Sequence, residues 1–557
     1  MYFFKKLLTL FGRYRQNKLV QNSKNVMKIQ EKFLFDQLAL NAETEYGKKY
    51  NFSKVNSVAD FKSYHPLTRY DHYKPYVERM MKGETKIMTS NQPVIFAVTS
   101  GTSGNSNIIP MVKRQQALFF LDGISLLFHL MTEFFPKSNR FQKHLKFFYD
   151  PIKWRESDSG IKIGPNSSSP SNSKSVLFMY TTPIPAYKVL NEPEALYLHL
   201  LFGLKERNLG MIEANFSSIV YNSFVSLENH WDDLVNDIEK ELTAVLKPDP
   251  QRAAELKEAK KDGPTGLMKR IWPECNLVIG ADSGSFELYA TKLRETYLKG
   301  IPLYSPIYAA TEGLLGINIW PREYPSKYML IPTVQFYEFI PIADCDLDQP
   351  DTLLMNQVKE GESYELVITN PTCLYRYRFG DVVRVKQFYN QCPVIEFLYR
   401  QGQFLSVRGE KTSEAVFYKV LNETLESSQG LDLVDYCCCE SILVSDQLNI
   451  HTSVDTSPSP CYHVFIEFKS DESINEQRCQ QLAKQLDDNL CAISYVYSSF
   501  RKKGSIGPIR IHCVQDGSFH RLRNFSLETT SASFNQYKVP RVLKNKDSVE
   551  FITKLIQ

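Results

Sequence analysis

The stretch that decides the fold is Val98-Thr99-Ser100-Gly101-Thr102-Ser103-Gly104-Asn105-Ser106-Asn107-Ile108-Ile109-Pro110, which follows the strand-like run Pro93-Val94-Ile95-Phe96-Ala97. We interpret it as a phosphate cradle, because its two glycines allow a tight turn in which backbone N–H groups and hydroxyls converge on an anion. A helix is predicted to begin just after it, at Lys113. An ordinary polar hairpin loop has the same composition, so this segment alone leaves both interpretations open.

Motifs and composition exclude several classes of protein. The cradle contains neither G-x-x-x-x-G-K-[ST] nor G-x-G-x-x-G, so it predicts neither a P-loop NTPase nor a dinucleotide-binding fold. The chain has 557 residues and a formal net charge of only +4, with 43% hydrophobic and 23% charged residues. These values are typical of a globular protein of more than one domain, and they give no reason to expect a nucleic-acid partner.

The cysteines and histidines predict no metal site. The 11 cysteines are an odd number in a chain without a secretory signal, which favours reduced thiols and a cytoplasmic location. Cys437-Cys438-Cys439 is the only cluster, and neighbouring residues on a strand point to opposite faces. We therefore expect these cysteines to be buried apolar residues. The ten histidines are scattered, and no H-E-x-x-H occurs.

The N-terminal segment Met1–Arg13 is apolar but interrupted by Lys5 and Lys6, and residues 1–20 are the candidate for peripheral membrane contact. This segment is too short to span a bilayer. Two interpretations stay open: a peripheral amphipathic anchor, or a helix packed on the body of the protein, which we favour. No other run is expected to reach transmembrane length.

Helical and strand patterns along the rest of the chain predict an α/β fold. Residues 1–90 are predicted to be mostly helical, and Leu118–Phe135 is predicted to be a buried helix that could wall a substrate pocket. Residues 156–175 have the composition of a mobile loop, and the stretch Ile212–Leu246 resumes a long helical pattern. From residue 276 onward, short apolar runs broken by Gly and Pro predict strands. From about residue 401, the pattern is that of a small separate α/β domain.

Four segments in order resemble one family, the GH3 acyl acid-amido synthetases of the adenylate-forming superfamily. They are Thr99-Ser100-Gly101-Thr102-Ser103-Gly104, Tyr308-Ala309-Ala310-Thr311-Glu312-Gly313, Leu374-Tyr375-Arg376-Tyr377-Arg378-Phe379-Gly380-Asp381-Val382-Val383 and Phe534-Asn535-Gln536-Tyr537-Lys538-Val539-Pro540-Arg541. Each motif alone is weak evidence, whereas four in this order are specific. The resemblance covers nearly the whole chain.

The resemblance implies a fold and a reaction. It implies a large N-terminal domain with mixed sheets and helices that binds ATP and the acyl substrate, here residues 1–400, and a small α/β C-terminal lid domain, here residues 401–557. It also implies that ATP and Mg²⁺ are used to adenylate a small carboxylic acid, after which an amino acid attacks the activated carbon and AMP leaves. No nucleic-acid partner and no transmembrane segment are expected.

The resemblance assigns roles to individual residues of this sequence. Lys538, Thr102 and Glu312 would be catalytic, with Glu312 holding Mg²⁺ and Lys538 neutralising charge at the α-phosphate. Asp381 would accept the ribose hydroxyls. The remaining nucleotide-binding residues would be Thr99, Ser100, Gly101, Thr102, Ser103, Tyr308, Ala309, Ala310, Thr311 and Lys411.

One position departs from the family pattern. Relatives usually carry a lysine where this cradle has Asn107, so a positive charge near the departing pyrophosphate is missing. Asn107 can still donate hydrogen bonds, which predicts weaker handling of ATP or pyrophosphate. Lys113 and Arg114 are candidates to replace that charge.

The sequence thus predicts an ATP-dependent acyl acid–amino acid ligase, with Leu118–Phe135 and Asn215–Phe224 shaping the acyl pocket. Two alternatives remain. One is a thioester-forming synthetase of the acyl-CoA type on the same scaffold, and the other is a catalytically retired protein that binds a ligand or partner, which the missing lysine motivates.

Overall fold

A computed structural model describes residues 2–99, 107–139, 142–150, 154–166, 169–171, 173–240, 247–401, 404–405, 407, 412–428, 431–444, 460–469, 476–529 and 537–557. The chain divides into two compact units, of which the first comprises residues up to Thr99 together with Ile108–Phe397 and the second mainly the residues from Leu398 onward. The segment Leu118–Phe135, which the sequence predicts to be a buried helix, contains a wider π-helical turn at Phe119–Ile124.

The elements of the first unit mix helices and strands along the whole chain. Its helices are α1 (Tyr2–Asn22), α2 (Val26–Asn41), α3 (Glu45–Lys49), α4 (Val58–Tyr64), α5 (Tyr70–Met81), α6 (Lys113–Leu118), α7 (Ser125–Phe134), α8 (Glu192–Lys205), α9 (Ser217–Asn229), α10 (Trp231–Glu239), α11 (Pro250–Lys260), α12 (Leu267–Ile271) and α13 (Glu287–Glu295). Its strands are β1 (Ile95–Val98), β2 (Ile108–Met111), β3 (Lys143–Lys146), β4 (Arg155–Glu156), β5 (Lys162–Gly164), β6 (Leu209–Phe216), β7 (Val278–Ala281), β8 (Leu303–Tyr304), β9 (Ile307–Ala310), β10 (Gly313–Ile317), β11 (Tyr328–Leu330), β12 (Phe336–Pro341), β13 (Ser363–Thr369), β14 (Tyr377–Tyr389) and β15 (Cys392–Arg400).

Three sheets organise the first unit. A seven-stranded sheet has the order β12-β13-β14-β15-β11-β10-β9, and two four-stranded sheets have the orders β2-β1-β5-β4 and β3-β6-β7-β8. In the sheet β3-β6-β7-β8 every adjacent pair of strands is parallel. Parallel strands need crossover connections, which α8, the helices α9 to α12 and α13 supply here. The α/β class predicted from the sequence is confirmed.

The core of the first unit follows from the apolar spacing of its helices. In α2, Val26, Phe33, Leu34 and Leu38 recur at helical spacing and are buried in the cluster that also contains the inner residues of the seven-stranded sheet. The parallel sheet has its own core, in which α8 to α12 cover β6 and β7. Burial of these stripes is the main force that holds the helices on the sheets.

Two sequence predictions for the first unit are wrong. Residues 156–175 include β5, whose Ile163 pairs with Phe96 of β1, so part of this stretch is a strand and not a mobile loop. The supposed helical pattern from Ile212 begins as the strand β6. A short, fully buried apolar run has no period that separates strand from helix, which explains the second error.

The second unit contains a four-stranded sheet of order β20-β19-β18-β21 and the small pair β16-β17. Its strands are β16 (Phe404–Leu405), β17 (Thr412–Ser413), β18 (Leu433–Glu440), β19 (Tyr462–Phe468), β20 (Arg510–Cys513) and β21 (Val542–Leu543). Its helices are α14 (Glu414–Ser427), α15 (Glu476–Ile493), α16 (Tyr495–Lys502), α17 (Ser518–Thr529) and α18 (Lys546–Thr553).

The cysteines are mostly as predicted, with one exception. Cys437, Cys438 and Cys439 lie on β18, and burial raises the pKa of each thiol. Cys479 of α15 and Cys513 of β20 are joined in a disulfide, so the expectation that all thiols are reduced is wrong for this pair. The packing of α15 on β20 brings them together across 34 residues of sequence, which cysteine counting could not reveal. Nine cysteines are free.

Two apolar segments bear on the membrane predictions. The N-terminal segment forms α1, which packs on α7: Thr9 and Thr132 share a hydrogen bond of 3.1 Å. Among the described residues, one helical run, Lys113–Phe134, is long and apolar enough to cross a bilayer, so the statement that no run reaches that length was too strong. Buried core helices pass the same test, and in this run the carboxylate of Asp122 is buried and bound by Arg15 of α1.

Candidate active site

The connection between β1 and β2 is the predicted cradle. Val98 pairs with Ile108, so the two strands fix both ends of the loop that joins them. The hydroxyl of Tyr70 pins the second end, because it donates to the carbonyl of Ile108 at 2.9 Å and accepts from its N–H at 2.8 Å. Thr99 and Asn107 lie at the two ends of the loop. Ser100, Gly101, Thr102 and Ser103 lie outside the described residues.

The register of this hairpin determines where Lys113 and Arg114, the candidates to replace the missing lysine charge, are located. Met111 pairs with Ile95, so Lys113 and Arg114 lie beyond the end of β2 that is opposite the connecting loop, and β2 itself is about 10 Å long. There they line an open cavity of about 450 Å³ together with residues 91–94. Arg114 also donates to Gln37 at 3.2 Å. Both residues are therefore poorly placed to stand in for the missing lysine at Asn107.

The second motif forms a tight β-hairpin. Ala310 of β9 pairs with Gly313 of β10, which leaves Thr311 and Glu312 as a two-residue turn. Gly313 has φ +144°, and a side chain there would collide with the Gln115 amide. Tyr308 and Glu312 are buried, whereas Ala309 is exposed.

Two buried amides brace this turn. The main-chain carbonyl of Glu312 accepts from Gln115 Nε2 of α6 at 2.9 Å and from Asn370 Nδ2 at 2.9 Å. Gln115 and Asn370 come from distant parts of the chain and are 4% and 0% exposed. Because both lone pairs of the carbonyl are used, the backbone that carries the Glu312 carboxylate has little freedom to move. Neither amide was predicted, since nothing in the local sequence marks them.

The third motif brings Asp381 next to the second. Tyr308 Oη donates to Asp381 Oδ2 at 2.7 Å, so two residues predicted to bind nucleotide are in direct contact. The ring of Tyr308 lies 5.6 Å from that of Tyr328 and 6.2 Å from that of Phe397, between ring centroids. A tyrosine and a carboxylate that share a partly apolar surface can offer a ring face to a base and an acceptor to hydroxyls.

A β-bulge aims Asp381. Val367 pairs with Arg378 and Glu365 with Val382, so Leu366 of β13 faces the extra residues Phe379 to Asp381 of β14. Gly380 has φ +90°, a conformation that only glycine adopts without strain. Bulges of this kind re-aim a side chain next to functional sites. Asp381 lies within β14 and does not cap a turn.

The two arginines of the third motif serve the fold. Arg376 forms a buried ion pair with Glu338 and donates to the carbonyl of His65 at 2.7 Å. Arg378 forms a buried pair with Glu365, with Nη2 2.6 Å from Oε2. Both guanidinium groups are committed to neighbours in the core, so they brace the strand that carries Asp381.

Lys538 lies in the second unit, just before β21, and is partly exposed. Its segment is anchored by Arg541, which is 2% exposed, pairs with Asp435 and donates to the carbonyl of Tyr436 at 2.7 Å. The other predicted lysine, Lys411, lies outside the described residues.

The donor set at Glu312 fits Mg²⁺ but not a protein-only metal site. Within the described part of the chain, no group of three or more His, Cys, Asp or Glu side chains is arranged to hold a metal. Mg²⁺ usually takes one or two protein carboxylates and completes its shell with water and substrate phosphates. A single carboxylate on a braced turn meets that requirement.

The second half of the predicted pocket helix packs in a core. Leu127, Met131 and Phe135 pack against Met211, Ile279 and Tyr304 of the parallel sheet. Ile307, which begins β9, also contacts this cluster. The helix is thus positioned beside the strand that carries Tyr308.

Comparison with solved structures defines the class. The fold matches that of the structure described as "GH3.15 acyl acid amido synthetase", with a TM-score of 0.83 and 25% identity over 99% of this chain and 96% of that chain. That is an adenylate-forming fold.

Residues 15–303 match the GH3 family N-terminal domain, residues 328–400 the GH3 family central domain and residues 415–547 the GH3 family C-terminal domain. The chain belongs to the GH3 family.

Two relatives illustrate its range. The 4-substituted benzoates-glutamate ligase GH3.12 of Arabidopsis thaliana is 29% identical over 96% of both chains. A GH3 domain-containing protein of Mus musculus is 36% identical, but the match spans 64% of this chain and 65% of the mouse protein. The name of the Arabidopsis protein describes a ligase that acts on benzoates and glutamate.

Proposed function

We propose that this protein is an ATP- and Mg²⁺-dependent ligase that joins a small carboxylic acid to an amino acid through an acyl-adenylate. The contact between Tyr308 and Asp381 carries the proposal, because it unites two separate family motifs in one surface. The match to a benzoate–glutamate ligase over 96% of the chain supports the same class of reaction.

In the first half-reaction, a carboxylate oxygen of the acid attacks the α-phosphorus of ATP. A new O–P bond forms, the bond to the β-phosphate oxygen breaks, and pyrophosphate leaves. Asp381 would accept the ribose hydroxyls, and Tyr308 would hold Asp381 in place while its ring faces the adenine. The hydroxyls and N–H groups of the cradle, including Thr99 and Thr102, would donate to the charge that builds on phosphate oxygens.

In the second half-reaction, the amine nitrogen attacks the acyl carbon, a C–N bond forms, the C–O bond to AMP breaks and the nitrogen releases a proton.

Lys538 would neutralise negative charge around the α-phosphate during adenylation, the first half-reaction. Glu312 would hold Mg²⁺, which supplies positive charge at the phosphates when it is bound with ATP. Lys411 would be a further phosphate contact, and the protein would act in the cytoplasm.

The proposal is tested by pyrophosphate release from purified protein with ATP and Mg²⁺ across a panel of small carboxylic acids, with and without pooled amino acids. Mass spectrometry of the product should reveal an amide and so identify both substrates. Lys538→Ala should lower the rate by about 100-fold or more. The matched control Lys554→Ala, an exposed lysine of the same unit, should leave it unchanged.

The alternatives give different results in the same assay. AMP formation that requires CoA and yields no amide would assign the thioester-forming synthetase. No release with any acid, together with no binding of ATP, would assign a retired protein that binds a ligand or partner.

A further inference from the structure

The outward face of α1 carries an apolar stripe that nothing in the described structure covers. Leu7 and Leu10 are each 57% exposed and Tyr14 is 59% exposed. The spacing i, i+3, i+7 places all three on one side of the helix. The other side, with Leu8 and Leu19, is buried against the first unit.

Basic residues border this stripe on both sides. At 100° per residue, Lys6 and Arg13 lie on one flank of the stripe and Lys18 on the other, and all three are exposed. The sequence contains no Asp or Glu before Glu31. Long basic side chains beside an apolar strip can bury their stems and keep their charges at a polar boundary.

The helix is fixed to the protein along its inner side. Arg15 Nε donates to the buried Asp122 at 2.9 Å, and Thr9 bonds to Thr132. A side chain at Gly12 would collide with the carbonyl of Ser125, so the two helices are in close contact. A partner must therefore bind α1 from one side only.

Geometry and charge together select the partner. A protein that engulfs a basic amphipathic helix would have to pull α1 off α7. A second copy in a symmetric dimer would place the basic flanks of this face against themselves. A flat, negatively charged surface with an apolar interior complements the face without either cost.

We propose that α1 docks the first unit on an anionic membrane surface, with Leu7, Leu10 and Tyr14 inserted at the interface and Lys6, Arg13 and Lys18 among the lipid head groups. This inference is independent of the ligase proposal. One weak apolar contact alone gives marginal binding, whereas an apolar strip with a basic margin supplies two signals.

The test is flotation of the full chain with phosphatidylcholine vesicles, with and without about 30% phosphatidylserine, at low and high salt. The wild type should float with the anionic vesicles only, and less at high salt. Lys6→Gln, Arg13→Gln and Lys18→Gln together should reduce partitioning roughly 100-fold, since each charge contributes about fivefold.

The apolar variant combines Leu7→Gln, Leu10→Gln and Tyr14→Gln and should lower partitioning roughly tenfold or more. Its control combines Phe178→Gln, Ile184→Gln and Leu190→Gln, three residues of the first unit with 51%, 59% and 46% exposure. The control for charge combines Lys54→Gln, Lys74→Gln and Lys82→Gln, which are exposed elsewhere on that unit. Neither control should change flotation.

Three results would overturn the proposal. They are absence of flotation with anionic vesicles, equal flotation of wild type and both α1 variants, and equal flotation with neutral vesicles. Binding of soluble poly-L-glutamate through α1 without any flotation would assign the face to an acidic polypeptide instead. Melting temperatures of all variants should match the wild type, because every substituted side chain is exposed.

Discussion

The hydrogen bond from Tyr308 to Asp381 yields the sharpest prediction. Tyr308→Phe removes the hydroxyl that lies 2.7 Å from Asp381 Oδ2 but keeps the ring. If Asp381 positions the ribose of ATP, loss of this donor should weaken ATP binding, because the carboxylate loses one of the contacts that orient it toward the ribose. The fold should survive, since no apolar contact of the ring is lost.

The size of the effect follows from the kind of bond. A hydrogen bond to a charged group contributes about 1.5–3 kcal/mol, which corresponds to roughly 10- to 150-fold in affinity if the whole contribution is lost. The ribose hydroxyls can take over part of the lost interaction, so we expect a Kd for ATP about tenfold higher. Isothermal titration calorimetry with ATP and Mg²⁺ measures this without knowledge of the acid.

Tyr328→Phe is the matched control. Tyr328 is also buried, its ring is 5.6 Å from that of Tyr308, and its hydroxyl shares a 2.6 Å hydrogen bond with Ser305 rather than with Asp381. Both variants should lose similar stability, of about 1–2 kcal/mol. If both weaken ATP binding equally, or neither does, the Tyr308–Asp381 bond does not position the nucleotide.

Three further predictions concern the brace, the cradle and a buried histidine. Gln115→Met removes one donor to the Glu312 carbonyl and should raise the Mg²⁺ concentration for half-maximal pyrophosphate release roughly tenfold, whereas Gln116→Met, its exposed neighbour, should not. Asn107→Lys should tighten ATP binding about three- to tenfold in the same calorimetric titration, while Asn91→Lys at the far end of the hairpin leaves it unchanged. Burial lowers the pKa of His199 to about 4, so below its ordinary value of about 6.5 the unfolded chain takes up a proton that the folded chain does not. Its contribution to stability is present above that pH and is lost as the pH falls, by up to ~1.4 kcal/mol per pH unit. The drop in melting temperature between about pH 7.5 and about pH 5 should be smaller in His199→Gln than in the wild type and unchanged in the exposed control His230→Gln.

Local patterns predicted much of the fold. The apolar spacing of α2 and the strand runs at β9 and β14 carry enough local information to be read correctly. The apolar pattern did not predict the π-helical turn at Phe119–Ile124, in which Asp122 bonds to Arg15 and Thr333, residues far away in sequence. Local patterns also do not give the register between β1 and β2. That register places Lys113 and Arg114 at the end of the hairpin away from the connecting loop.

The candidate site divides in the same way. The motifs marked Tyr308, Glu312 and Asp381, since each stands in a recognisable pattern of neighbours. Gln115 and Asn370, which hold Glu312, stand in no pattern, because a single amide donated to a distant carbonyl leaves no local mark in the sequence. Such supporting residues are found only once the chain is folded.

The segment that leads to Asp381 shows why this division exists. Cys373, Arg376 and Gly380 have φ of +66°, +44° and +90°, and the first two are strained because their side chains disfavour that region. Each such residue costs on the order of 1–3 kcal/mol and persists only where its surroundings hold it.

The surroundings here are side chains from other elements. Tyr73 accepts from the N–H of Tyr375 at 2.8 Å, Thr369 accepts from that of Arg376 at 2.9 Å, and the Arg376–Glu338 ion pair is buried beside them. Removing one partner of a buried ion pair typically costs 3–5 kcal/mol, because the other charge is then left unpaired in the core, so Arg376 is held in this position despite its strained backbone. The strained path directs the chain into β14 and its bulge, and the bulge aims Asp381 at Tyr308. Arg376 of this motif thus fixes the backbone, and Asp381 is the residue proposed to bind the ribose.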